Sequence, residues 1–182
     1  MAYWNSRGLR GSTLEEFVNI TNEEYIKKNL AVIQKIPTSI KTIELDQQKG
    51  IITKAYFEQK STVDYMGNVQ GIPVCFDVKE TSKLSLPISN IHEHQMSFME
   101  NFEKQNGISF IIVYYSCKEK YYFIPFKILK NYWDQAKIGG RKSIPCKECI
   151  EKYEIRKQGM FLVHYLESLS TYLEEINNIT VE

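Results

Sequence analysis

The sequence has 182 residues, 43% hydrophobic and 25% charged, a balance and length that fit one domain with a sizeable buried core. No apolar run approaches a membrane span, and the opening MAYWNSRGLRGS lacks the apolar centre of a signal peptide, so the expected location is cytoplasmic. A net charge of +1 does not itself point to nucleic acid, but the charge is uneven: residues 27–60 and 130–157 are basic, and the last 25 residues carry acids and no base.

In chain order, residues 1–11 read as a flexible basic arm whose Arg7 and Arg10, with Tyr3 and Trp4, suit phosphate and base contacts. Ser12-Thr13-Leu14-Glu15 reads as a capping box, with Ser12 at the N-cap. Leu14, Phe17, Val18, Thr21 and Tyr25 then recur at helical spacing, which predicts a helix over residues 13–29. A short strand at 31–36 stops at Pro37, and two β-patterned runs, 40–46 and 51–58, follow around a four-residue link ending in Gly50. Neither face of that hairpin is strongly polar, so it either joins a main sheet or stands out and binds something.

The stretch 61–81, STVDYMGNVQGIPVCFDVKET, carries the chemistry. A turn at Gly67-Asn68 and a strand-like run from Val69 are predicted to bring Asp64 beside Asp77 and Lys79, which lie two apart on one strand face. Two adjacent carboxylates repel, and each is driven toward its neutral form unless a cation joins them. A hard divalent ion such as Mg²⁺ takes oxygen ligands, and an ammonium alongside stabilises charge on a phosphate under attack. By spacing alone this pattern has low specificity, because exposed charges on an edge strand look the same.

Further on, Ser89 or Asn90 is expected to cap a helix reaching about residue 105, with Ile91, Gln95, Phe98, Met99 and Phe102 on one face. Gln95 is the polar exception on that stripe, and an amide bonded to backbone accounts for it as well as a metal does. His92 and His94 are two apart and are expected to point in different directions, unlike a zinc-binding pair four apart. Strands are predicted at 108–116 and 120–126, then a helix at 126–137 and a glycine-flexed basic loop carrying Arg141 and Lys142. Cys146 and Cys149 have the spacing of half a zinc site with no second pair, so all four cysteines are expected to be reduced thiols without zinc. The apolar stretch 159–177 is expected to be helical in part.

Taken together, Thr62-x-Asp64, Asp77-x-Lys79, the Arg10-to-Glu15 helix start and Gln95 resemble the RecU family of Holliday junction resolvases over residues 10–145. The resemblance implies a restriction-endonuclease-like α/β fold, a mixed central β-sheet flanked by helices, in a single nuclease domain spanning 1–182. A protruding stalk would occupy residues 40–60. It implies a Mg²⁺-dependent endonuclease, with Mn²⁺ as a substitute, acting on four-way junction DNA as a homodimer in recombination and repair, with the RecA recombinase as a possible partner. Asp64 and Asp77, assisted by Thr62 and Gln95, would hold the metal, and Lys79 would stabilise the transition state. Arg7, Arg10, Lys49, Lys54, Tyr56, Lys60, Arg141 and Lys142 would contact DNA. The family usually carries glutamate where this chain has Asp77. Two other readings stay open here: a restriction- or phage-type nuclease of the same fold cutting duplex DNA, and a junction-binding protein whose chemistry has lapsed.

Overall fold

The structure is a computed structural model and describes residues 9–57, 62–149 and 151–179. Helix α1 (Leu9–Lys27) leads into strands β1 (Val32–Lys35), β2 (Ile40–Asp46), β3 (Ile51–Phe57), β4 (Tyr65–Val69), β5 (Ile72–Thr81) and β6 (Ser85–Pro87). Helix α2 (Glu93–Glu103), strands β7 (Ile108–Tyr115) and β8 (Lys120–Pro125), and helix α3 (Phe126–Lys137) follow. Strands β9 (Ser143–Pro145) and β10 (Glu154–Ile155) and helix α4 (Tyr165–Ile179) complete the described chain. The main sheet runs in the order β1-β4-β5-β7-β8-β10. It is mixed: β5 and β7 pair in parallel and the other neighbours are antiparallel. The expected α/β architecture, a mixed sheet with helices on both faces, is what forms.

Alternation along the strands sorts the core into two layers. Val74, Phe76 and Val78 of β5 join Phe110 and Ile112 of β7 in a cluster with Leu14 and Val18 of α1 and Leu169 of α4. Cys75 of β5, with Ile111 and Val113, packs instead with Met96 and Met99 of α2 and Leu129 of α3. Asp77 and Lys79 alternate with Phe76 and Val78 and therefore share the α2/α3 side.

An aromatic row crosses four strands on the α1/α4 side. Tyr65 stacks on Phe76 at 4.8 Å between ring centroids, Phe76 on Phe110 at 4.7 Å, and Phe110 meets Phe123 at 4.3 Å. Tyr165 of α4 closes over Phe76, and its hydroxyl donates to Asn22 Oδ1 of α1 at 2.6 Å. Such pairs add roughly 0.5–1.5 kcal/mol each beyond area burial. Their larger consequence is register, because a slip of one residue would turn Asp77 to the opposite face.

Several local expectations are corrected. Helix α1 begins at Leu9, so Ser12 lies inside it and is not the N-cap. The β4–β5 turn is Gln70-Gly71, both with positive φ (49° and 95°), not Gly67-Asn68. Asn68 belongs to β4, and its Oδ1 accepts from the Gly71 N–H at 2.7 Å, securing the tight turn from one side. Gly67 serves a different purpose: a Cβ there would overlap the Val32 carbonyl oxygen and lie 2.7 Å from Ile33 Cα. Gly67→Ala is therefore expected to cost about 2–3 kcal/mol, read as a lower urea midpoint at unchanged slope. Helix α2 is preceded by a short 3₁₀ turn, Ile88–Asn90, and its N-cap is His92, not Ser89 or Asn90. Residues 84–87 read as a connector by sequence, but Ser85–Pro87 form β6, which pairs with β9.

The β2–β3 hairpin pairs only with itself, and every residue of its strands is exposed except half-buried Asp46. It protrudes as expected. Among the described residues no helix is long and apolar enough to cross a membrane.

Candidate active site

Three elements converge on Asp77. In the β4–β5 pairing Tyr65 stands opposite Phe76, and one further step along this register sets Asp64 opposite Asp77. The corrected turn matters here, because a turn at Gly67-Asn68 would have paired Asp64 several residues away from Asp77. Two hydrogen bonds lock the pair: the Asp64 N–H donates to Asp77 Oδ1 and the Val78 N–H to Asp64 Oδ2, each at 3.2 Å. From α2, Gln95 Nε2 donates to Asp77 Oδ2 at 2.7 Å. Lys79 forms an ion pair with the same Asp77 oxygen.

Gln95 does two things at once. Its Oε1 accepts from the His92 N–H at 3.0 Å, satisfying a free donor at the start of α2, while its nitrogen holds Asp77. The amide bonded to backbone is what forms, and the same side chain also reaches the Asp77 carboxylate. A polar residue on an apolar stripe was the available signal, and it marks the point where the helix faces the carboxylate.

Asp77 is fully buried and Lys79 is 17% exposed in its side chain. With Asp64 ionised the three groups sum to one net negative charge, in a place where an unpaired charge is costly. Burial first, and then the Asp77 carboxylate beside it, push the Asp64 carboxyl up to about 7. A cluster of this kind favours gaining a proton or a hard cation over holding both carboxylates ionised alone. Its donors are carboxylate oxygens, the class a hard divalent ion selects. Among the described residues no group of three or more His, Cys, Asp or Glu could hold a metal. Two carboxylates, with remaining positions left to water and substrate phosphate, are the set Mg²⁺ commonly uses.

The other predicted site residues are distributed as follows. Thr62 is half-buried two residues before Asp64 and is not one of the hydrogen-bonded members of the cluster. Lys49, Lys54 and Tyr56 lie on the exposed hairpin, with Lys49 facing Asp46 and Lys54 facing Glu44, both at 3.8 Å. The Arg141 guanidinium is engaged by both oxygens of Glu148, while Lys142 is exposed. Arg7, Lys60 and the side chain of Arg10 lie outside the described residues. The rings of His92 and His94 do not diverge as expected; they stack at 5.4 Å, because His92 is the extended N-cap residue and not part of the helix. Glu15, the last residue of the predicted capping box, pairs with Lys35, and its carbonyl accepts from the Tyr65 hydroxyl at 3.3 Å. Cys146 is buried and Cys149 half-buried, with Cys149 Sγ 3.7 Å from the Tyr115 hydroxyl, and burial raises both thiols, Cys149 to about 11.

A family model described as Recombination protein U matches residues 9–171. "Holliday junction resolvase RecU" from Geobacillus sp. (strain WCH70) is 42% identical over 150 residues, covering 80% of this chain and 74% of the relative. The protein of the same description from Oceanobacillus iheyensis is 36% identical over 175 residues, covering 93% and 86%. Among solved structures, Archaeoglobus fulgidus Hjc, a Holliday junction resolvase, aligns with a TM-score of 0.37 at 8% identity, over 60% of this chain and 77% of that one. The extent of the family match and the identity to these relatives establish that the chain belongs to the RecU family.

Proposed function

We propose that this chain is an endonuclease that resolves four-way DNA junctions, with a divalent cation, Mg²⁺ or in its place Mn²⁺, held by Asp64 and Asp77. The observation that carries the reading is the Asp64–Asp77 pair, joined by two backbone hydrogen bonds and flanked by Lys79. A cation bound there supplies Lewis-acid polarisation of a phosphoryl oxygen and eases deprotonation of water. The Lys79 ammonium, half-buried and two residues from Asp77, stabilises the negative charge that grows on the phosphate during attack. Aspartate at 77 is one methylene shorter than the glutamate usual in the family, so its carboxylate would hold a cation with a shorter reach from β5.

Gln95 acts on the ion through Asp77: its nitrogen fixes the carboxylate and its oxygen is taken by the helix cap. Gln95→Ala is expected to raise the Mg²⁺ concentration for half-maximal cleavage about 10–100-fold, the usual range for losing an outer-shell partner. A Mg²⁺ titration of cleavage checks this, and an unchanged midpoint would remove Gln95 from the site.

Resolution needs two symmetrically placed nicks, so a twofold homodimer is the fitting assembly. The test of the whole reading is a labelled synthetic four-way junction incubated with and without Mg²⁺, beside linear duplex of the same sequence. Paired nicks near the branch point, dependent on Mg²⁺ and resistant to duplex competitor, are expected. Equal cutting of duplex would favour a duplex nuclease, and binding without cutting would favour a lapsed enzyme.

A further inference from the structure

We infer that the groove between the β6–β9 ladder and the turn joining β7 to β8 is a second DNA-strand site, engaging the backbone of the strand beyond the bond that is cut. This inference rests on the proposed nuclease reading. The groove has a volume of about 710 Å³. Leu84, Tyr122 and Pro145 give it an apolar floor, suited to the sugar face of a nucleotide. Lys118, Lys120, Arg141 and Lys147 make up its charged lining, and no carboxylate belongs to that lining among the described residues.

Two of those cations are already engaged. Lys120 pairs with Glu154 at 2.7 Å, and Arg141 with Glu148. Lys118 and Lys147 are exposed on either side, and among the described residues neither has a carboxylate within ion-pairing distance. The surplus charge is therefore positive and faces the groove from two separate loops.

Position relative to the active site indicates which anion belongs there. Asp77, Lys79 and Thr81 lie two apart along β5 and share a face. Thr81 Oγ1 donates to the Ser85 carbonyl at 3.4 Å, and Ser85 lines the groove. The groove thus opens where the catalytic strand ends. A DNA strand seated at Asp77 and Lys79 and running along β5 would therefore continue into the groove. A free phosphate would use neither the apolar floor nor this alignment, whereas a continuous strand uses both.

The test compares the full-length protein with its K118E/K147E variant on a synthetic four-way junction in a Ca²⁺ buffer, by binding across a salt series. A parallel Mg²⁺ cleavage assay of the wild type reports on the nuclease reading separately. If two phosphate contacts are lost, the slope of log affinity against log salt should fall by about 1.8, at roughly 0.9 per phosphate. A variant with the wild-type slope would overturn the inference while wild-type cleavage stands. A wild type that neither binds nor cuts the junction would overturn the nuclease reading, and this inference with it.

Discussion

Replacing Asp64 with Asn is expected to reduce junction cleavage by about 10³-fold or more, the upper range for deleting one preorganised charged group, while junction binding is kept or tightened. The amide can still accept from the Val78 N–H, so the β4–β5 geometry survives, but the second negative charge beside Asp77 is gone. Removing that charge also lowers repulsion toward the phosphate. The same variant should change stability in a pH-dependent way. Folding raises the Asp64 carboxyl from its ordinary 3.8 to about 7. Between those values the folded protein holds a proton that the unfolded chain releases, so wild-type stability in metal-free buffer falls as pH rises through this window. Asp64→Asn has no such proton to lose. It should melt higher than wild type at about pH 8 and lose this advantage near pH 4. A domain of this size shifts about 2–4 °C for each kcal/mol. Added Mg²⁺ should restore the wild type selectively at the higher pH, because the ion takes the place of the missing proton. Cleavage by the variant near the wild-type rate would remove Asp64 from the mechanism.

The central strands, and the shared face of Asp77 and Lys79, were legible because each follows from strand periodicity. The near-continuous apolar run at 108–116 could only be a buried strand, and the two-residue spacing of Asp77 and Lys79 placed them on one face wherever the strand began. The turn position was harder to read, because Gly67 and Gly71 are both glycines in a polar setting, four residues apart. Only the tertiary contact with Val32 and Ile33 shows that Gly67 is there for close strand approach. The short strands β6, β9 and β10 escaped because two or three residues carry no periodicity, and pairing between residues about 60 apart defines β6 and β9. The α2 cap was misplaced for a related reason. Ser89 and Asn90 are better intrinsic caps than His92, but the β6–β9 ladder and the hydrogen bond from the Ile88 N–H to the Lys142 carbonyl hold them in an earlier turn. The closing of the α1/α4 layer by Tyr165, through Asn22 and the aromatic row, was likewise invisible, since it joins residues more than 140 apart.

Replacing residues 46–56, the hairpin turn and nearly all of β3, with a short Gly/Ser turn is expected to leave a folded protein whose preference for junctions over duplex collapses. The fold should survive because the hairpin pairs only with itself and adds no side chain to either core layer. The expected stability change is within about 1 kcal/mol, as for other surface alterations. What the excision removes is a ribbon with an unusual surface. Within it Ile51, Ile52 and Tyr56 are each about half exposed, and half-exposed Leu45 and 75% exposed Phe57 flank the excised residues. Leaving this much apolar area in water is unfavourable for a monomer, and a two-stranded ribbon is marginal alone, so a binding surface accounts for it better than folding does. Its lysines are available at little cost. Lys54 faces Glu44 and Lys49 faces Asp46 at 3.8 Å in exposed pairs, and such pairs contribute about 0–1 kcal/mol. A phosphate can displace either carboxylate. Phosphate contacts elsewhere on the protein would serve duplex and junction alike, whereas a projecting ribbon with aromatic side chains fits the open centre of a four-way junction. Binding of the shortened protein to both DNAs at one fixed salt concentration, with its melting curve, decides the matter. Affinity for duplex should be nearly unchanged and the junction preference lost. Full junction preference without these residues would exclude the hairpin from recognition, and failure to fold would make it part of the structural core.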